Sequence, residues 1–529
     1  MRRLEARSGL HDEQDILGLL LHLQPSSAPT PQPPLRNISR AFAQRNARCA
    51  IIQRDVQDPD FIAEHAAYYS KWTKPIPRFC TRVHFFSTKP TCDDPLDLID
   101  AMSADGNQYI GFTTLRPVAA APVAATIISG FDPRAQFITS KDTFKVNLAG
   151  RDFEVDGTPF MQQDNAVGAC AQASIWMALR TLRRKEGQAA YDVAKITTAA
   201  TRFVVNGRTL PNRSGLRIEQ INEAIRTAGY SPHTVPLLYR DRSPEGARPA
   251  SDCAVRQAKA ALYPYVESGI PALLALFPPG REGHAVLSIG HNWDESPPSE
   301  ELHELGSIGG IRIFDASSWT SSYIVHNDNT GPYMDLPARG EAYSLENAAQ
   351  AIPFLPPDVF VDGNEARVCC LRILSDALTG GNIDDQGSEL DLVARVYLQD
   401  RSHFRADVVS STMSNPVKRY YRNKWLPRRV WVMEVNAREG YGQTPSGNTE
   451  RLGEILLDPT VEPSEGHFLA VHLTPALLGA ALGRKQDTGV IIDRDAFTGA
   501  IESIPVFHEP YNPRLRGEAG AGRRSEPSA

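Results

Sequence analysis

Cysteine is scarce in this chain: seven residues in 529. So sparse and odd-numbered a set excludes a disulfide framework and is the pattern of a reducing compartment. Long apolar runs are missing too. The longest candidates, "IPALLALF" at 270–277 and "PVAAAPVAATIISG" at 117–130, are too short or too broken by proline for the roughly 20 apolar residues that span a bilayer. Charge of one sign is not in excess, since 56 Lys and Arg face 62 Asp and Glu for a net of −6. That argues against a whole-chain nucleic-acid binder or a polybasic membrane binder. The first 24 residues start basic, but acidic residues precede a short apolar stretch and no small-residue cleavage site follows, so no signal peptide is expected. The expected location is cytoplasmic. No GxSxG elbow, GxxxxGK[ST] loop or GxGxxG loop occurs, which removes the α/β-hydrolase and phosphate-loop classes. No internal repeat is visible.

What is there is an ordinary globular composition, 41% apolar and 22% charged. The length suits several domains. Residues 1–35 read as a helix over 12–24 followed by a linker, "QPSSAPTPQPPL", rich in proline and serine. Residues 36–150 read as a mixed α/β domain. It contains a strand "QYIGFTTLRPV" ending at Pro117 and, around Gly150, a hairpin in "TFKVNLAGRDFEVDG". Residues 151–378 place helical patterns first and apolar strands afterwards, the order of an α+β domain. There "SGLRIEQINEAIRTAGY" sets Leu216, Ile218, Ile221 and Ile225 on one helical face, and "HNWDESPPSEELHELGSIGG" reads as a long surface insertion between strands. Residues 379–515 read as a β-rich domain of short strands, and 516–529 as a disordered tail.

The informative segment is "FMQQDNAVGACAQASIWMALRTLRRKEG". Cys170 opens a helical run whose far end carries Arg180, Arg183, Arg184 and Lys185, the charge distribution a helix dipole favours. A thiol at the positive end of that dipole has its thiolate favoured, and thiolate is the nucleophile. His284 enters an apolar strand from a glycine-rich turn in "GREGHAVLSIGHNW", and Asp315 closes the strand "GIRIFDA". Cysteine, histidine and aspartate in this order make a triad: attack, proton relay, and orientation of the imidazole. Gln162 and Gln163, shortly before Cys170, are candidate oxyanion donors. Each residue alone has a bland reading, as a buried small hydrophobe, a structural histidine or a turn aspartate. Their order and local context favour chemistry.

These segments, "QQD…GACAQASIWMAL", "GLRIEQINEAIRTAGY", "YVESGIPALLAL…GHAVLSIGHNW" and "IRIFDAS", resemble the papain-like cysteine peptidases. The closest likeness is to the compact bacterial branch that includes bacteriocin leader-processing peptidases. The resemblance covers about 158–325. It implies a helix bearing the nucleophile packed on an antiparallel sheet, with Cys170 as nucleophile, His284 as base and Asp315 as orienting acid. It matches Gln163 best to the oxyanion glutamine, with Gln162 as the alternative. Ala171 stands where the family often has glycine, the glutamine lies one residue farther from the cysteine, and 31 residues separate His284 from Asp315. The function expected is a thiol hydrolase acting on a peptide or isopeptide bond, with no metal or organic cofactor. Its partners would be a protein or peptide substrate and a protein bound through the flanking domains, with no nucleic acid and no membrane. The alternatives are an inactive papain-like scaffold and a transglutaminase-like acyl transferase.

Other motifs are weaker. Cys80, His84 and Cys92 lack paired metal-ligand spacing. Cys369-Cys370 is read as part of a strand. "KRYYRNKWLPRR" at 418–429 interleaves cations with aromatics, but reads as a solvated helix or loop anchored by its rings. His467 and His472 are read as structural.

Overall fold

A computed structural model describes residues 4–24, 32–89, 92–104, 108–129, 136–164, 170–202, 215–238, 251–379, 390–411, 413–442, 451–461 and 468–506. The fold is mixed α and β, built on three main sheets whose pairings are antiparallel with one exception. The expected tail at 516–529 and His467 lie outside the described residues.

The first sheet is a meander of five strands in chain order: Leu4–Ser8, Cys49–Val56, Cys80–Phe86, Tyr109–Leu115 and Val123–Ile128. The expected N-terminal helix runs Glu13–Leu23, with Asp12 capping its first amides. Residues 4–8 already belong to the sheet, so this helix is a connection within it. The expected hairpin forms as Asp142–Leu148 paired with Arg151–Gly157. Its two-residue turn, Ala149-Gly150, has positive φ at both positions (50° and 91°), which matches the twist of the flanking strands.

The second sheet carries the strands Ala348–Leu355, Ala272–Leu276, His284–Trp293, Thr320–Asn327 and Gly331–Pro337 in that spatial order. The helix Cys170–Lys185 packs on it. From Ala171 to Leu179 every residue of that helix is buried, as expected of a helix enclosed on all sides. Small residues (Ala171, Ala173, Ala178) allow the close approach, and Trp176 fills space against the first sheet's connections, its indole N–H donating to Asp60 Oδ1 at 3.1 Å. One core therefore joins the helix to both the first and second sheets.

The third sheet runs Glu304–Ile308, Ile311–Asp315, Leu392–Asp400, Arg429–Ala437, Arg451–Leu457, Phe468–Leu473, Gly489–Arg494 and Ile501–Val506. Ile311–Asp315 pairs in parallel with Leu392–Asp400. The stretch expected as a surface insertion thus supplies a strand of this sheet. Cys369 and Cys370 lie in the helix Gly363–Thr379, not in a strand. Cys370, Leu374 and Leu378 recur at helical spacing on its buried face, a period that two adjacent cysteines concealed. "KRYYRNKW" lies on the helix Asn415–Asn423 and the turn after it. Val417 and Tyr421 are buried, and the Tyr421 hydroxyl donates to Glu454 at 2.7 Å.

Candidate active site

Cys170 is the first residue of its helix, and His284 the first residue of its strand. The two meet where the helix crosses the strand. The amide of Ala285 donates to Cys170 Sγ at 3.2 Å. One turn along the helix, Ser174 Oγ donates to the Ala285 carbonyl at 3.5 Å, fixing the helix against the strand.

Asp315 is not at this site. Its carboxylate closes the short turn that follows its own strand, taking the Ser317 amide at 2.8 Å, and pairs with Arg367 at 2.9 Å. It belongs to the third sheet, whereas His284 belongs to the second. The sequence makes Asp315 the candidate orienting acid; in the structure it caps a turn instead. The residue that does orient His284 is Asn327, whose Oδ1 lies 2.9 Å from Nε2. Asn327 ends the strand that pairs beside the histidine strand. The segment between those two strands leaves for the third sheet and returns, which is why the partner sits 43 positions beyond His284. The signal for it was present as the polar run "HNDN" closing the apolar strand "YIV".

The hydrogen bonds settle the tautomer. Asn327 Oδ1 also accepts the backbone amide of Asn329 at 3.1 Å. A backbone amide only donates, so this side-chain atom is the oxygen, and His284 Nε2 carries the proton that it accepts. Nδ1 is then the basic nitrogen of the neutral ring, and the Asn329 side-chain amide lies 3.4 Å from it. Tyr343 covers a face of the imidazole, with ring centroids 5.1 Å apart. Asp328 is fully enclosed. One of its carboxyl oxygens stands 3.5 Å from His284 Nε2, and neither oxygen has a hydrogen-bond partner on another residue.

The two glutamines separate. Gln162 is turned into the first sheet: its Oε1 accepts the Val123 amide, its side-chain amide meets Gln32, and its carbonyl takes Arg116. Gln163 faces the site, its amide donating to Asn329 Oδ1 at 3.4 Å. The segment that carries it is held from the first sheet. Arg116, buried, pairs with Glu64 at 2.8 Å while holding Gln162, and the Tyr69 hydroxyl donates to Asp164.

The electrostatics correct one expectation. A cysteine at a helix start was expected to have a lowered pKa. Burial instead pushes the Cys170 thiol up to about 12, reinforced by the nearby Asp328 charge and opposed by the amides of Ala285, Ala171 and Cys170 itself. Burial likewise lowers His284, with Asn327 opposing. Burial raises the Asp328 carboxyl to about 8. Burial thus favours the uncharged forms of both the Cys170 thiol and the His284 imidazole. Among the described residues no group of three or more His, Cys, Asp and Glu side chains is placed to hold a metal ion. His84 is buried and spends Nδ1 on the Tyr109 hydroxyl at 3.0 Å.

Comparison with family models, with curated proteins and with solved structures gave no match. The reading of this site rests on its own geometry. No helix among the described residues is long and apolar enough to cross a membrane.

Proposed function

We propose that the chain is a thiol-dependent acyl hydrolase of papain-like design, acting on a peptide or isopeptide carbonyl. The observation that carries this is the placing of Cys170 Sγ against the amide of the residue after His284, with His284 held by Asn327 in the tautomer that leaves Nδ1 basic. On attack, Sγ gives its proton to Nδ1 and bonds to the carbonyl carbon. The oxyanion is met by the Cys170 amide and Gln163. His284 then returns the proton to the leaving amine, giving an acyl-enzyme that water cleaves. An amine in place of water turns the same chemistry into acyl transfer. The first sheet, which holds the Gln163 segment, and the third sheet are the candidate surfaces for a protein substrate.

A second reading is a binding scaffold with a closed site. It is favoured by the burial that keeps the Cys170 thiol at about 12. Alkylation with iodoacetamide, mapped residue by residue on native protein and on His284→Ala, separates the two. Hydrolase chemistry requires labelling of Cys170 that exceeds that of the other cysteines and collapses without His284. Uniform, His284-independent labelling favours the scaffold.

A further inference from the structure

Among the described residues, Asp328 is a buried carboxyl at the site with no hydrogen-bond partner on another residue. It follows Asn327 directly and is wholly enclosed, its own backbone amide alone favouring the charged form. An isolated carboxylate in such a place is costly unless something compensates it. Among the described residues, the titratable groups that interact with it are His284 from the histidine strand, 3.5 Å away at Nε2, and Cys170 from the helix. His326, on the strand that ends just before it, is committed elsewhere: Nε2 faces the Thr158 carbonyl at 3.1 Å and Nδ1 takes the Tyr333 amide at 3.1 Å. No Lys or Arg pairs with Asp328 among the described residues. The imidazole is the basic group within ion-pair distance of Asp328 among the described residues, and no hydrogen bond joins Asp328 to Sγ.

Resting on the thiol-hydrolase reading, we propose that Asp328 is a second positioning residue for His284. Its neutral acid leaves Nε2–H to Asn327, and its carboxylate stabilises the imidazolium formed when Cys170 transfers its proton to Nδ1. The balance is simple. Asp328 loses one proton to solvent, Cys170 loses one to His284, and no other group changes. The carboxylate also opposes the thiolate, raising the Cys170 thiol, so its gain at the imidazolium, 3.5 Å away at Nε2, is net of that repulsion. Burial sets the carboxyl at about 8, which places the change between its two forms within a range open to measurement.

The test is the pH profile of Cys170 alkylation by iodoacetamide in the native protein, Asp328→Asn and His284→Ala. The native and Asp328→Asn proteins should label at similar rates near pH 6, where the native acid is neutral. Above pH 8 Asp328→Asn should lag by about tenfold, the effect of one pKa unit on the imidazolium. Parallel profiles, or faster labelling of Asp328→Asn at high pH, would overturn the proposal while leaving the hydrolase reading intact. Labelling unaffected by His284→Ala would overturn both. Should Asp328→Asn lose its cooperative melt, Asn327→Ala serves. With the amide gone, His284 depends on Asp328 alone, so labelling should survive above pH 8 and drop below it. An equal loss at every pH would defeat the idea.

Discussion

Two histidines on one strand, His284 and His291, live in opposite electrostatic surroundings. His291 Nε2 meets Glu267 at 2.9 Å, and Glu267 is gripped by Arg395. Arg395 also pairs with Glu434 at 3.1 Å, and Glu434 takes the Tyr397 hydroxyl at 2.7 Å and Arg451. All of these are buried or nearly so, between the second and third sheets. Burial alone would raise Glu267, yet Arg395 and His291 outweigh it and hold the carboxyl at about 2. At the other end of the strand, Asp328 beside His284 has no such partner, and burial raises it to about 8. Charge that is saturated with partners fixes a structure. Charge left short of partners keeps a proton that chemistry can move.

The contrast can be broken by mutation. His284→Ala should lower Cys170 alkylation by about a hundredfold or more, the range of a lost general base, with little change in melting temperature. Arg395→Met should do the reverse. Removing one partner of a buried ion pair costs about 3–5 kcal/mol, read by denaturant unfolding, while the pH profile of Cys170 labelling keeps its shape. Asn327→Ala should reduce labelling at neutral pH by about tenfold, since an unanchored ring loses the productive tautomer for part of the time. Asp315→Asn should leave labelling within about twofold and show instead as lost stability, because its partner Arg367 is stranded.

Stability against pH sharpens the comparison with smaller effects of opposite sign. Glu267 sits at about 2 in the fold against a reference of 4.5. Its stabilisation is complete above 4.5 and lost as the pH falls toward 2, so the stability gap between native protein and Glu267→Gln should shrink over that interval. Asp328 sits at about 8 against a reference of 3.8. Its contribution is complete below 3.8 and lost as the pH rises through 8. Asp328→Asn should therefore melt higher than the native protein at pH 8 and no higher below pH 4.

Much of this was legible in the residues. The hairpin at Ala149-Gly150, the helix Ile218–Thr227 with Ile221 and Ile225 inward, and the strand at His284 all follow local periodicity and turn chemistry. Cys170 and His284 were picked out because each carries its own local context. Asn327 was not, because the polar run "HNDN" marks a strand end without telling which strand pairs beside it, and that pairing spans a long excursion. Asp315 attracted the assignment by ending an apolar strand, a feature shared by every capping aspartate. The state of the thiol was misread for a similar reason. A helix dipole is visible in sequence, whereas the desolvation that outweighs it comes from the packing of residues far apart in the chain.

The excursion between the histidine strand and the asparagine strand carries a consequence for timing. The chain leaves His284–Trp293, contributes Glu304–Ile308 and Ile311–Asp315 to the third sheet, and returns as Thr320–Asn327. The parallel neighbour of that excursion, Leu392–Asp400, emerges from a ribosome long after both site strands. A growing chain therefore holds Cys170 and His284 well before it holds the strand that anchors the excursion between His284 and Asn327. Long-range pairing of this kind is slow to form, so the third sheet closes late, around a helix and a histidine strand already synthesised.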